Sequence, residues 1–135
     1  MIVYHGTKNK NNYDSIIKGG FHLYQGLYGL GIYCSDNFNF AKLYACEDDE
    51  EGYGHENLVI KINIPNYLIL EDTHQNIMNK YFNMNLINNS IYETAETNTE
   101  LCKFVLNDGF KAIKINYSNA NEIIILDEKI INIIQ

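Results

Sequence analysis

Glu122 stands directly before Ile123-Ile-Ile-Leu126, and a carboxylate drawn toward a core needs a partner, because isolated buried charge is expensive. Taken alone, such a residue is more often an edge-of-strand glutamate facing water. Two other strand ends offer it company. His5-Gly6-Thr7 follows the short strand Ile2-Val3-Tyr4, a place where a ring and a backbone could both face a ligand; in isolation it reads more readily as a histidine satisfied in a turn. Tyr33 lies near the end of Gly26-Leu-Tyr-Gly-Leu-Gly-Ile-Tyr-Cys-Ser-Asp36. Three glycines before an aromatic strand let backbone lie close against something flat, although a plain glycine-rich turn has the same pattern. A carboxylate, an imidazole and a tyrosine at three strand ends would together supply charge stabilisation, hydrogen bonding and an aromatic surface.

The elements that must carry these groups can be read along the chain. A strand over 2–4 precedes a short helix over 12–18 that Gly19-Gly20 ends and Phe21 follows into the core. Ile32-Tyr33-Cys34 reads as a strand, and Ser35 or Asp36 as the cap of a helix over 37–45. On that helix Phe40, Leu43 and Tyr44 share one face, for which core packing is the expected role. The acidic stretch 47–51 reads as a solvated loop. Strands are predicted over 57–64 and 67–70, separated by Pro65-Asn66. A helix capped by Asp72 or Thr73 carries the core stripe Ile77, Met78, Tyr81 and Phe82. Residues 83–92 read as a loop, and a helix starting at Thr97 or Asn98 runs through Leu101, Phe104 and Val105 to Asn107-Asp-Gly109. Strands over 110–115, 121–127 and 130–134 complete an α+β domain on a split, mostly antiparallel β-sheet with short flanking helices.

Composition narrows the classes of function. A chain of 135 residues fits one domain, here 1–135, with 46% hydrophobic residues and eleven tyrosines to fill a core. Ten basic against seventeen acidic residues leave a net charge of −7, which argues against nonspecific attraction to nucleic acid or an anionic membrane unless a local basic patch exists. Cys34, Cys46 and Cys102 are odd in number and widely spaced, as expected of reduced thiols in a cytoplasmic protein. The four histidines fall on separate segments, so no metal site is predicted. No apolar run approaches the roughly 20 residues that span a bilayer.

In order and spacing, His5-Gly-Thr7, Gly29-Leu-Gly31-Ile-Tyr33-Cys-Ser-Asp36 with Ala41-Lys-Leu-Tyr44-Ala, and Asn121-Glu122-Ile-Ile-Ile-Leu-Asp127 resemble the ADP-ribosyltransferase fold in its poly(ADP-ribose) polymerase-like branch. That branch is known for a histidine, tyrosine and glutamate triad, which the resemblance places at His5, Tyr33 and Glu122. It implies NAD as substrate, bound in a cleft of the split sheet, with loss of nicotinamide and transfer of ADP-ribose to an acceptor. Gly6 would hold the nicotinamide carboxamide through its backbone, His5 the adenosine ribose, and Tyr33 and Tyr44 the two faces of the nicotinamide ring. Glu122 would bind the 2′-hydroxyl of the nicotinamide ribose and stabilise the oxocarbenium-like state as nicotinamide leaves. Thr7 would support the pocket on the adenosine side.

Two positions depart from the pattern. Many relatives carry a serine where this chain has Ala41, so a hydroxyl on the nicotinamide amide is lost and Gly6 must do more. Leu30 replaces a common lysine and removes a positive charge from the glycine loop. Chain-elongating members are much longer, so the resemblance implies a mono-ADP-ribosyltransferase, expected as a monomer in the cytoplasm of a bacterial cell or of a host cell if viral. A protein is the expected acceptor. Nucleic acid, a small molecule or water are alternative acceptors, and an inactive NAD or ADP-ribose binding module is the alternative outside enzymes.

Overall fold

The computed structural model describes residues 1–47, 54–82 and 99–134. Most of the acidic stretch, the predicted loop over 83–92 and the proposed helix start at Thr97 or Asn98 lie outside the described residues. The described elements run β1 (Ile2–Gly6), α1 (Lys10–Gly19), β2 (Tyr24–Gly26), β3 (Gly29–Ser35), α2 (Phe38–Lys42), β4 (Val59–Asn63), β5 (Ile69–Thr73), α3 (His74–Phe82), α4 (Leu101–Asn107), β6 (Ala112–Asn116), β7 (Asn121–Ile125) and β8 (Asn132–Ile134). The sheet order is β5-β6-β7-β3-β1-β4-β8, with β2 added to β3. Among the described strands every pairing is antiparallel except β5–β6. That parallel pair needs a long crossover, within which α3 and α4 fall. The chain is therefore α+β on a mostly antiparallel sheet, and none of its described helices is long and apolar enough to cross a membrane.

Isoleucine-rich strands bury both faces of this sheet. One face carries Val3, Ile32, Cys34, Ile60, Ile62, Ile123 and Ile125; the other carries Ile113, Ile115, Ile124 and Leu126 under Ile77, Met78, Leu101 and Val105 of α3 and α4. The α3 stripe is thus core as expected, with Tyr81 and Phe82 packed at its edge. All three cysteines are free and buried. Gly20, at a φ of 86°, donates its N–H to Ile16 O and ends α1. Thr73 Oγ1 accepts from Asn76 N–H at 3.2 Å, as a helix cap should.

Three local expectations are corrected. β3 begins at Gly29 rather than Ile32 because it also pairs with β2, a strand not expected from sequence. α2 is shorter than 37–45 and is capped by the Asn37 side chain, which accepts from Phe40 N–H at 3.0 Å. Ser35 and Asp36 do not cap it because both are committed to β7: Ser35 Oγ donates to Asn121 O at 3.0 Å, and Asp36 accepts from Asn121 Nδ2 at 2.9 Å. Finally, Phe40, Leu43 and Tyr44 do not pack into the core. They are 37%, 56% and 61% exposed, and Ala41 is the buried residue of α2.

Candidate functional site

The sheet is well closed at one seam and open at another. β7 pairs with β6 over Asn116↔Asn121 to Ala112↔Ile125 and with β3 over Ser35↔Glu122 to Ile32↔Ile125. β1, by contrast, meets β3 only at Tyr4↔Ser35. Beyond that pair lies a cleft of about 760 Å³ whose lining includes His5, Gly6, Thr7, Tyr33, Ala41, Tyr44 and Glu122. All seven residues singled out from sequence are therefore brought to one cavity.

Hydrogen-bond parity explains the opening. Met1 exchanges backbone bonds with Ile64, and Thr7 N–H donates to Leu58 O, so the odd-numbered positions of this strand bond toward β4. In an antiparallel ladder the even-numbered residues then direct N–H and C=O to the other side. Continuing the register from Tyr4↔Ser35 sets Gly6 opposite Tyr33. The backbone of Tyr33 is, however, occupied by side chains: its N–H donates to Tyr24 Oη at 3.2 Å, and its C=O accepts from His5 Nδ1 at 2.8 Å. Two side chains thus stand in for the missing ladder bonds, and the backbone of Gly6 faces the cleft.

The acceptor at Tyr33 O requires the proton of His5 on Nδ1, which leaves Nε2 as a lone-pair acceptor. Burial pulls the His5 pKa below its usual range, against the raising effect of the Tyr33 carbonyl, so the ring is neutral at pH 7. Its neighbours are Phe21, edge-on at 5.2 Å, and Tyr24 at 6.3 Å.

Glu122 is half-buried in the same cleft. Among the described residues it has no hydrogen-bond or ion-pair partner, and desolvation raises its pKa. The reason is geometric. Directly paired residues share a sheet face, so Glu122 lies with Ile115 whereas Lys114 lies with Ile123 on the opposite face. There Lys114 Nζ is held by Glu71 at 3.4 Å and Asp36 at 3.7 Å. An unneutralised carboxylate in a cleft with perturbed titration is a functional-site signature.

Tyr33 is fixed at its far end as well: its hydroxyl donates to Gly29 O at 2.7 Å and accepts from Tyr28 N–H at 3.0 Å. Its ring neighbour is Tyr24 at 5.6 Å. Tyr44 lies in the turn after α2 rather than on the helix, beside Phe40 at 5.8 Å. Thr7 is buried, and its hydroxyl is spent on Leu58 O at 2.6 Å, tying the cleft wall to the segment before β4.

The glycines serve protein packing more than ligand approach. A side chain at Gly6 would run into the Ala41 carbonyl, one at Gly26 into the Tyr33 ring, and one at Gly31 into Ile124 Cγ2 at 2.5 Å. Gly29 combines a φ of 113° with the Thr99 carbonyl at 2.7 Å from where its side chain would begin. Of the three glycines in the 26–36 stretch, only Gly26 borders the cleft. Sequence reasoning also missed cleft residues on α1, namely Asn12, Ser15 and Ile16, and it missed Tyr24. The signal for Tyr24 is its spacing of two from Gly26, which in a strand places both on one face.

Neither a protein-family model nor a curated protein matches the chain. Among solved structures, an anti-CRISPR protein aligns with a TM-score of 0.51 and 10% identity, over 99% of this chain and 95% of that one. At that identity the likeness is one of fold.

Proposed function

We propose that the chain is an NAD-dependent mono-ADP-ribosyltransferase that releases nicotinamide and transfers ADP-ribose to a protein acceptor. The observation that carries this reading is the carboxylate of Glu122, unpaired among the described residues, in one cleft with the neutral ring of His5, the backbone of Gly6 on its side away from β4 and the ring of Tyr33. An N–H and a C=O presented side by side match a carboxamide, which has one donor group and one acceptor. A neutral imidazole Nε2 accepts from a ribose hydroxyl. A carboxylate without a counter-ion stabilises the cationic ribose that forms as nicotinamide departs, the state in which its charge is most useful. Tyr33 and Tyr44 offer aromatic surface to the nicotinamide ring.

Purified protein is incubated with NAD labelled on the adenine side, together with a protein mixture, while nicotinamide release and the position of the label are followed. One solved structure of similar fold is an anti-CRISPR protein, so subunits of a CRISPR effector complex are the first acceptors to offer. Nicotinamide release with label on protein is the expected outcome. Release without labelled macromolecule means water or a small acceptor, label on nucleic acid replaces the acceptor class, and binding without turnover leaves only a binding module.

A further inference from the structure

The cleft must hold the doubly charged diphosphate of NAD if the reading above is right, yet the chain contains no arginine: all ten of its basic residues are lysines. Among the described residues lining the cleft, Lys8 is the one lysine, and it is exposed. Bidentate guanidinium recognition of phosphate is therefore ruled out, and neutral donors must take a larger share.

Tyr24 is such a donor. Its ring lies between the two ends of the site, 6.3 Å from the His5 ring and 5.6 Å from the Tyr33 ring, and it is 42% exposed within the cleft lining. Its oxygen accepts the Tyr33 N–H at 3.2 Å. A phenol has one proton to give, and no described group receives that of Tyr24. Burial pushes the phenol up to about 12, against the lowering effect of the Tyr33 N–H, so this proton is present throughout the physiological range. The incoming N–H also polarises the hydroxyl toward donation.

We propose that Tyr24 donates its phenol proton to the diphosphate of NAD, at the point where the substrate passes from His5 on the adenosine side to Tyr33 on the nicotinamide side. This rests on the NAD reading, which gives the two rings their places. The same hydroxyl then has two tasks: its lone pair holds Tyr33 away from the ladder with Gly6, and its proton holds the anionic link between the nucleosides.

The test compares wild type with Tyr24→Phe, which keeps the ring, by titration with NAD, ADP-ribose and nicotinamide alone, with the unfolding midpoint of each protein measured alongside. A hydrogen bond to a charged acceptor predicts roughly tenfold weaker binding of NAD and ADP-ribose by Tyr24→Phe, with nicotinamide affinity unchanged. Undiminished ADP-ribose binding by Tyr24→Phe overturns the proposal while the NAD reading stands. Equal losses for ADP-ribose and nicotinamide also overturn it, because they assign Tyr24 only the task of orienting Tyr33. Wild type that binds neither NAD nor ADP-ribose removes the NAD reading itself, and this proposal with it.

Discussion

The seam between β6, β7 and β3 and the seam between β1 and β3 are built from the same kind of strand, yet they finish differently. At the first, ladder pairs run without interruption and the side chains between them are Ile113, Ile115, Ile123, Ile124 and Ile125, all fully buried. At the second, one pair forms and polar groups follow: the His5 ring and the Tyr24 hydroxyl on the backbone of Tyr33, the backbone of Gly6, and the Glu122 carboxylate. A closed ladder satisfies its own backbone and excludes everything else. An interrupted one leaves donors and acceptors that something other than a strand must meet. On the proposed reading, stability and ligand chemistry fall to different seams of one sheet, with Glu122 next to Ile123 at the boundary.

The largest expected effect lies in the closed seam. Ile124 is fully buried between β3 and β6, with Gly31 making room for its methyl. Ile124→Ala should remove about 2–5 kcal/mol of stability, as buried isoleucine truncations do, measured by chemical unfolding. Its activity per folded molecule should stay close to wild type. Activity per folded molecule that falls together with stability would show that the two seams are not separable.

Glu122→Gln is the mirror experiment. It should slow nicotinamide release about 10²–10³-fold, the size of a lost electrostatic contact to a developing charge, while the protein remains folded. Turnover that does not change removes Glu122 from the chemistry. The same variant should be more stable than wild type at pH 7. The folded-state pKa of Glu122 is raised by desolvation from 4.5, so its favourable contribution is complete below 4.5 and is lost as pH rises through the folded value. The stability difference between Glu122→Gln and wild type should accordingly vanish below about pH 4.5.

His5 titrates with the opposite consequence. Its folded pKa lies below the usual 6.5 because burial opposes the charged form. The unfolded chain therefore binds the proton more readily, and stability falls as pH drops below 6.5. His74, whose pKa burial also lowers, acts in the same direction. His5→Gln should shallow the decline of the unfolding midpoint between pH 6.5 and the folded pKa without abolishing it, since His74 remains. An unchanged slope would mean that the ring at the open seam does not hold a neutral state.

Much of the closed seam is legible from sequence because apolar runs such as Ile123-Ile-Ile-Leu126 admit few readings other than a buried strand. The open seam is legible only as a set of residue types. Nothing local shows that Tyr33 would be bonded by side chains instead of by β1, since that depends on a register between strands nearly thirty residues apart. The glycines were informative about closeness and silent about what comes close: Gly31 faces Ile124 and Gly26 faces Tyr33. Helical periodicity in turn grouped Phe40, Leu43 and Tyr44, of which Phe40 and Tyr44 line the cleft, but it cannot distinguish a core from the edge of a cleft. That Glu122 is unpaired among the described residues depends on Lys114 being on the other face of the sheet, a consequence of one step in strand alternation.

Tyr44 carries the smallest and most discriminating prediction. A residue 61% exposed beside one aromatic neighbour contributes little to folding, so Tyr44→Ala should leave stability within about 0.5 kcal/mol of wild type. If its ring stacks on nicotinamide, the loss is that of one aromatic contact, about 0.5–1.5 kcal/mol, or about two- to tenfold in NAD affinity. The same substitution would lower stability and spare affinity if the ring served packing, the role first expected of it. Measuring both quantities on one variant therefore decides on which side of the boundary the α2 turn belongs. An affinity loss without a stability loss extends the open seam from Gly6, whose missing side chain brings the Ala41 carbonyl against β1, out to the exposed ring three residues beyond it.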